Sequence, residues 1–304
     1  MTLKQSQNKR ALATSSVTIT HPERIVYADM GMTKRQVVDY YESVSVLMLP
    51  HVVDRPLSIV RCPAGADEKC FYQKHVTDSM PKHIHGVFIE EQNSEGYYIS
   101  IDSIDGLISL VQIGALELHM WGCRRQAIEK PDVMVFDLDP APDIAWKDIL
   151  EGAECVKEKL SSFGLTSFLK TTGGKGLHVI VPLTPSAGWE DVKGFSKFIA
   201  DSIVRDEPGK YVATMSKEKR AGKTFVDYLR NARGSTAIAP YSTRAKAGAP
   251  IATPIGWHEL HELKKSSQFT VNNLRKRLKL NADPWKGYFD VKQMLPTKWK
   301  PNRS

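Results

Sequence analysis

The sequence predicts an α+β protein in which a split β-α-β core packs against a mixed α/β module that precedes it. Three observations lead there. The 304 residues are 41% hydrophobic and 25% charged, an ordinary globular composition with room for one large domain or two closely packed modules. Between residues 131 and 229, strand-like and helix-like segments alternate in the order β-α-β-β-α-β. The stretch before them, residues 17–130, mixes one long helix with short strands and shows no internal repeat.

Taken in order, residues 1–16 are polar and basic and lack the apolar centre of a secretory signal, so they read as a disordered leader. Thr33 opens a helix with Val37, Tyr41, Val44 and Leu47 on one face, ending at Pro50. Short strands are expected at 57–62, 87–90, 97–101 and around 116–119. Residues 133–139 (VMVFDLD) form an apolar strand; a side-chain period of two puts Met134, Phe136 and Leu138 on one face and Asp137 and Asp139 on the other. A helix follows over 146–163, with Ile149, Ala153, Val156 and Leu160 in register and Gly164 as its stop. Residues 166–171 and 177–183 read as a hairpin around Gly-Gly-Lys-Gly. A second amphipathic helix spans 189–204, and TFVDYL at 224–229 is the last strand. This is the split pattern of ferredoxin-like and RNA-recognition-motif-like (RRM-like) folds, which usually place the last strand beside the first. Asp227 should therefore approach Asp137 and Asp139. Residues 240–254 are a connection rich in Pro, Gly and Ala, and 271–280 a basic amphipathic helix. The expected division is a leader (1–16), an N-terminal module (17–130), the RRM-like module (131–245) and a C-terminal connection and helix packing back on it (246–304), within one compact unit.

Composition narrows the function. No apolar run approaches the roughly 20 residues that cross a bilayer. Cys62, Cys70, Cys123 and Cys155 show neither a Cys-x-x-Cys pair nor zinc-type spacing, so no disulfide framework or structural zinc is expected and a reducing cytoplasm fits best. The net charge of +8 favours a polyanionic partner.

Two carboxylates on one strand face repel unless something positive lies between them. Oxygen ligands of this kind suit magnesium or manganese rather than zinc, although an Asp-x-Asp at a strand end also serves to cap a helix or close a turn. Asp227 is a third ligand on the topological argument, or an edge-strand acid that keeps the sheet soluble. In Thr171-Thr172-Gly173-Gly174-Lys175-Gly176-Leu177-His178, the glycines admit an anion to the backbone N–H groups, the hydroxyls donate and Lys175 adds charge. It is not a Walker A loop, because the first glycine and the strand-to-helix setting are missing. His178 shares its strand face with Ile180. Lys217, Lys219, Arg220, Arg230, Arg233 and Arg244 surround the acids, an assortment that suits nucleotidyl transfer. In the N-terminal module, Arg24, Lys34, Arg55, Arg61 and Lys74 interleave with Phe71 and Tyr72, as a polynucleotide needs charge for phosphates and flat rings for bases.

Read together and in order, Thr20-His21-Pro22-Glu23-Arg24, Phe71-Tyr72-Gln73-Lys74-His75, Glu117-Leu118-His119-Met120-Trp121, Asp137-Leu138-Asp139-Pro140, Thr172 to His178, Phe225 to Asn231 and Ala239 to Arg244 resemble the polymerase domain of bacterial DNA ligase D, in the archaeo-eukaryotic primase superfamily. The resemblance implies a template-directed nucleotidyltransferase that extends primer 3′-hydroxyls and fills short gaps at double-strand breaks during non-homologous end joining. It implies two Mn2+ or Mg2+ ions on Asp137 and Asp139, with Asp227 completing the site that activates the 3′-hydroxyl. Thr172, Lys175, His178, Arg220 and Arg244 would grip an NTP or dNTP, and His119 would lie near a sugar for which ribose is accepted or preferred. Arg24 and Lys34 would bind a downstream 5′-phosphate, and Phe71 and Tyr72, with Lys74 beside them, the template where it bends. Primer, template and DNA ends are thus the implied partners, with a ligase domain and the Ku end-binding protein, in a bacterial nucleoid. Where the family often has Ser and Phe, this chain has Thr172 and Tyr72. No Lys-x-Asp-Gly motif is present, so nick sealing by that chemistry is excluded; the chain reads as a polymerase domain of a larger ligase or a stand-alone relative. Three other functions fit less well: a de novo primase, a two-metal nuclease, and a non-catalytic end-binding module.

Overall fold

In the computed structural model, residues 14–90, 95–280 and 283–299 are described. The chain begins with a small ribbon, β1 (Ile25–Tyr27) and β2 (Met32–Thr33), that leads into α1 (Lys34–Val52). Thr33 starts this helix through a capping box: its hydroxyl accepts from Gln36 N at 3.3 Å, and the Gln36 side chain accepts from Thr33 N at 2.8 Å. The helix runs two residues past the expected stop at Pro50. The proline ring removes one donor, and the turn beyond it still closes through Val53 N to Leu49 O at 3.0 Å.

Next come β3 (Leu57–Arg61), β4 (Phe71–Gln73), β5 (His85–Glu90), β6 (Glu95–Ser100), α2 (Ile104–Gln112) and β7 (Ala115–Trp121). The second half comprises β8 (Val133–Pro140), α3 (Trp146–Ser162), β9 (Phe168–Thr171), β10 (Leu177–Pro182), α4 (Trp189–Asp206), β11 (Tyr211–Val212), α5 (Lys217–Arg220) and β12 (Thr224–Asp227). β13 (Thr236–Ile238), β14 (Pro254–Ile255) and α6 (Val271–Leu280) follow.

Two sheets result. The first has the order β13-β7-β3-β6-β5, with β4 also paired to β3; the second has the order β11-β12-β8-β10-β9-β14. Within the second, β12, β8, β10 and β9 reproduce the split β-α-β arrangement, the last strand lying beside the first as its topology requires. Met134, Phe136 and Leu138 bury against Val156 and Leu160 of α3 and Val192, Phe195 and Ile199 of α4. The same alternation leaves Val133, Val135 and Ile180 to a smaller apolar cluster on the other face, closed by Trp285 and Tyr288. Helices α1 and α2 cover the first sheet with Val37, Tyr41, Val44 and Leu107, and Val271 and Leu274 of α6 join that core. The strands after Asp227 are shared out: β13 extends the first sheet beside β7, while β14 extends the second beside β9.

Three sequence expectations change. Of the expected leader, residues 1–13 lie outside the described residues, but Ser15 and Ser16 are held in place, both hydroxyls donating to Asp105 at 2.6 Å. Cys62 and Cys70 are joined as a disulfide. They follow and precede the paired residues Arg61 and Phe71, so strand register brings together two cysteines whose spacing carried no signal. Arg55 offers nothing to a polynucleotide: its side chain is 2% exposed and grips Asp132 with two bonds of 2.6 and 2.7 Å. It ties the approach to β3 to the start of β8.

Candidate active site

The second sheet delivers a row of ionisable side chains across four adjacent strands. Asp227 on β12 stands opposite Asp137 on β8, Asp137 opposite His178 on β10, and His178 opposite Lys170 on β9. Residues paired across strands share a face, so all four point the same way. Asp139, two residues along β8, joins them. The topology thus converges the three acids as expected.

The acids are already engaged by cations. Arg230 Nε lies 3.3 Å from Asp137 Oδ2 and 3.3 Å from Asp227 Oδ2. Arg220 meets Asp139 at 2.5 Å, and His178 Nε2 lies 3.3 Å from Asp137 Oδ1. Burial alone would raise the Asp137 carboxyl, but His178, Arg230 and Lys170 outweigh it and hold it at about 2. Asp227 is pushed up by burial and by Asp137 and Asp139, with Arg230 opposing. Burial and Lys170 bring His178 down to about 4 against the pull of Asp137. Lys170 is itself lowered to about 7, by burial and then Arg244, and donates to Ile238 O at 2.7 Å.

Whether these residues suit a divalent cation can be read from the donors. Two facing carboxylates share one positive group, Arg230, and all donors are hard oxygens, the chemistry that magnesium or manganese prefers. Among the described residues no group of three Asp, Glu, His or Cys side chains forms a ready-made cation site. Asp139 is instead turned to Arg220, and Arg230 takes the place between the other two.

Beside the acids, residues 172–176 form a tight turn. Gly173 has φ +64°, and a Cβ there would stand 2.9 Å from Arg244 Cγ. A Cβ on Gly176 would come within 2.0 Å of Leu138 O, so only glycine lets the turn close against β8. Three cations gather here. Arg244 Nη1 donates to Thr172 O at 2.7 Å, Lys246 Nζ and Arg244 Nη1 both approach Gly174, and Lys175 is exposed at the tip. The Thr172 hydroxyl faces inward, accepting from Gly174 N at 3.2 Å and reaching Gly176 O at 3.1 Å.

A cavity of about 430 Å³ lies between this turn, Asp137 and Asp139 on one side and Tyr72, His119 and Ile238 of the first sheet on the other. Glu117 braces that far wall, with Oε2 2.9 Å from His119 Nε2 and 3.1 Å from Arg244 Nε. Burial would raise Glu117, but His119 and Arg244 hold it at about 2. His119 is lowered, by burial first, despite Glu117.

The remaining expected residues lie outside this cavity or on its rim. Arg24 and Lys34, joined by Arg61, line a separate cavity of about 220 Å³. Lys34 is nearly buried, and its ammonium donates to Thr20 O, Gln112 O and Gln112 Oε1 at 2.9 to 3.2 Å. Phe71 and Tyr72 are 43% and 72% exposed, and neither is a core ring. Arg61 lies over Phe71, while Lys74 donates to Tyr98 OH at 2.8 Å. Glu117, Lys170, Lys246 and Ser266 went unassigned in the sequence. Glu117 and Lys170 had a usable signal, since strand parity puts them on the faces of His119 and His178; Lys246 and Ser266 had none.

Residues 33–285 match the family model described as LigD, primase-polymerase domain. The chain is 36% identical over 296 residues to the multifunctional non-homologous end joining protein LigD of Pseudomonas aeruginosa, covering 96% of this chain and 35% of that protein. It is 29% identical over 280 residues to the bifunctional non-homologous end joining protein LigD of Bacillus subtilis, covering 91% of this chain and 45% of that one. The chain therefore spans between a third and a half of the length of these relatives. The polymerase domain of Mycobacterium tuberculosis ligase D, solved in complex with DNA, superposes with a TM-score of 0.83 at 30% identity, over 89% of this chain and 96% of that one.

Proposed function

The chain belongs to the LigD primase-polymerase domain family, and from that premise we propose that it extends primer 3′-hydroxyls on a template to fill short gaps at broken DNA ends. The observation that carries this reading is the pairing of Asp137 with Asp227 opposite a turn ringed by Lys175, Arg244 and Lys246. Carboxylates on one wall and three cations on the next suit a metal-bound triphosphate. A nuclease would need no cradle for a triphosphate.

Asp137, Asp139 and Asp227 would hold magnesium or manganese, two ions in the reading adopted here. Such ions lower the pKa of an attacking hydroxyl and neutralise a leaving pyrophosphate. Lys175, Arg244 and Lys246 bind the triphosphate, and Arg220 and Arg230, which pair with the three carboxylates, would have to release them to a bound cation. Ionised Glu117 accepts the Nε2 proton of neutral His119, so His119 Nδ1 is left to accept from a sugar hydroxyl. A ribose offers one hydroxyl more than a deoxyribose, which favours ribonucleotides. Phe71 and Tyr72 stack the template, and Arg24, Lys34 and Arg61 take the downstream 5′-phosphate. A ligase domain and an end-binding protein such as Ku are the partners this activity calls for.

Extension on a gapped duplex, with and without the 5′-phosphate, tests the proposal. The phosphate should speed addition about tenfold or more, the worth of one charge-assisted contact. Indifference to it would remove the end-repair reading and favour a primase, which has no downstream strand to hold. With labelled DNA and metal but no nucleotide, no degradation should occur.

A further inference from the structure

Ser266 lies 94 residues from Thr172 in sequence, in the connection before α6, and is 1% exposed. Its hydroxyl is placed inside the phosphate turn. Ser266 Oγ accepts from Thr172 N at 3.1 Å and donates to Gly176 O at 2.6 Å. Thr172 Oγ1 stands 3.2 Å from Ser266 Oγ and 3.1 Å from the same Gly176 O.

Proton accounting gives this arrangement a meaning. A hydroxyl has one hydrogen to donate. Gly176 O has two lone pairs and three donors around it: Thr172 N at 3.3 Å, Ser266 Oγ at 2.6 Å and Thr172 Oγ1 at 3.1 Å. The backbone N–H takes one place, the two hydroxyls compete for the other, and the shorter contact belongs to Ser266. Gly176 O is therefore filled without the Thr172 hydroxyl, whose own acceptor role is taken up by Gly174 N. With both lone pairs of Gly176 O taken by Thr172 N and Ser266, the hydrogen of the Thr172 hydroxyl is the surplus donor, and it can turn to another acceptor without loss to the carbonyl.

We infer that Ser266 is a positioning residue for the triphosphate site: by occupying Gly176 O, it releases the Thr172 hydroxyl to donate to a phosphate oxygen. This rests on the function proposed above. It extends the nucleotide machinery to a C-terminal segment that carries no other sign of chemistry. Ser266 itself, buried behind the turn, touches no substrate.

The test is a double-mutant cycle on nucleotide addition, with Ser266→Ala, Thr172→Val and the pair together. In Ser266→Ala the Thr172 hydroxyl is drawn to the lone pair that Ser266 leaves on Gly176 O, and a phosphate must compete for its hydrogen, so KM for the nucleotide should rise by up to about tenfold, the net worth of one hydrogen bond, with kcat changed by no more than about twofold. Thr172→Val should do the same, and the double variant should be no worse than Thr172→Val alone. Binding of a non-hydrolysable triphosphate by calorimetry should weaken in parallel. A residue that merely packs would shift the melting temperature and leave KM alone. If Ser266→Ala does not fold, Ser266→Cys, close in size and a weak donor, takes its place with the same expectation. An unchanged KM, or effects that multiply in the double variant, would overturn the inference while leaving the proposed function standing. A wild-type protein that neither binds the triphosphate nor extends a primer would overturn both.

Discussion

Buried Glu117 and half-buried Arg244 form an ion pair, with 3.1 Å between Oε2 and Nε, and the same carboxylate reaches His119 at 2.9 Å. One acid on β7 thereby holds at once the two residues proposed to contact the triphosphate and the sugar. The Arg244 contact is ionic rather than a linear hydrogen bond, since Nε has no hydrogen-bond partner by geometry. Glu117→Gln keeps the shape and removes the charge. It should destabilise the protein by about 3 kcal/mol, as for breaking one side of a buried pair, and raise KM for nucleotide. The pH dependence follows from the carboxyl being held at about 2 against an ordinary value of 4.5. A depressed acid stabilises the fold above the unfolded value and loses that contribution as pH falls from about 4.5 toward 2. The stability gap between wild type and variant should be full at pH 7 and shrunken at pH 3, by urea titration. An equal gap at both would assign the loss to packing.

Arg55 makes a different prediction, on stability rather than activity. Its guanidinium is buried against Asp132 and also donates to His51 O at 2.7 Å, which joins the end of α1 to the strand carrying Asp137. Arg55→Met should cost about 3 to 5 kcal/mol by leaving Asp132 without its partner. Arg55→Met with Asp132→Leu should recover much of it. Thermal melts of the three variants decide; a single variant as stable as wild type would show that Arg124, 3.4 Å from Asp132, suffices.

These two residues mark where the sequence stops being legible. Asp227 was readable because strand order in a split β-α-β unit follows from connectivity, and period-two alternation then fixes which side chains share a face. The same alternation would have found Glu117 and Lys170. Arg55 was misread because a lone arginine before a strand looks the same whether it meets a phosphate or Asp132, 77 residues away. Cys62 and Cys70 were misread because the closure of β3 on β4 brings them together, and β4 was not foreseen. Ser266 and Lys246 reach the turn from irregular connections, where no periodicity says which way a side chain points.

Tyr72 is 72% exposed and its ring centroid lies 5.8 Å from that of His119, at the rim of the cavity between the two sheets. A large exposed ring there contributes little to folding. Tyr72→Ala should leave the melting temperature within about 1 °C, since surface changes fall within about 0.5 kcal/mol. It should weaken binding of a templated duplex by about tenfold or more, the worth of one stacked base. Fluorescence anisotropy with labelled gapped DNA measures this. Unchanged affinity would move the template path off β4.

Arg230 occupies the position between Asp137 and Asp227, 3.3 Å from each, that a divalent cation would claim. A guanidinium and a metal ion repel at such range, by up to several kcal/mol even with the dielectric of a partly exposed site. A metal held between these carboxylates would require Arg230 to turn aside, so Arg230 is expected to oppose its binding. Arg230→Gln should tighten Mn2+ binding about tenfold, by titration followed by electron paramagnetic resonance. Asp137→Asn should abolish the high-affinity signal and reduce nucleotide addition by about three orders of magnitude, the several kcal/mol a metal supplies, with DNA affinity retained. The opposite directions matter: general loosening of the site would weaken Mn2+ binding in both variants. If Arg230→Gln leaves Mn2+ affinity unchanged, the cation does not enter between Asp137 and Asp227.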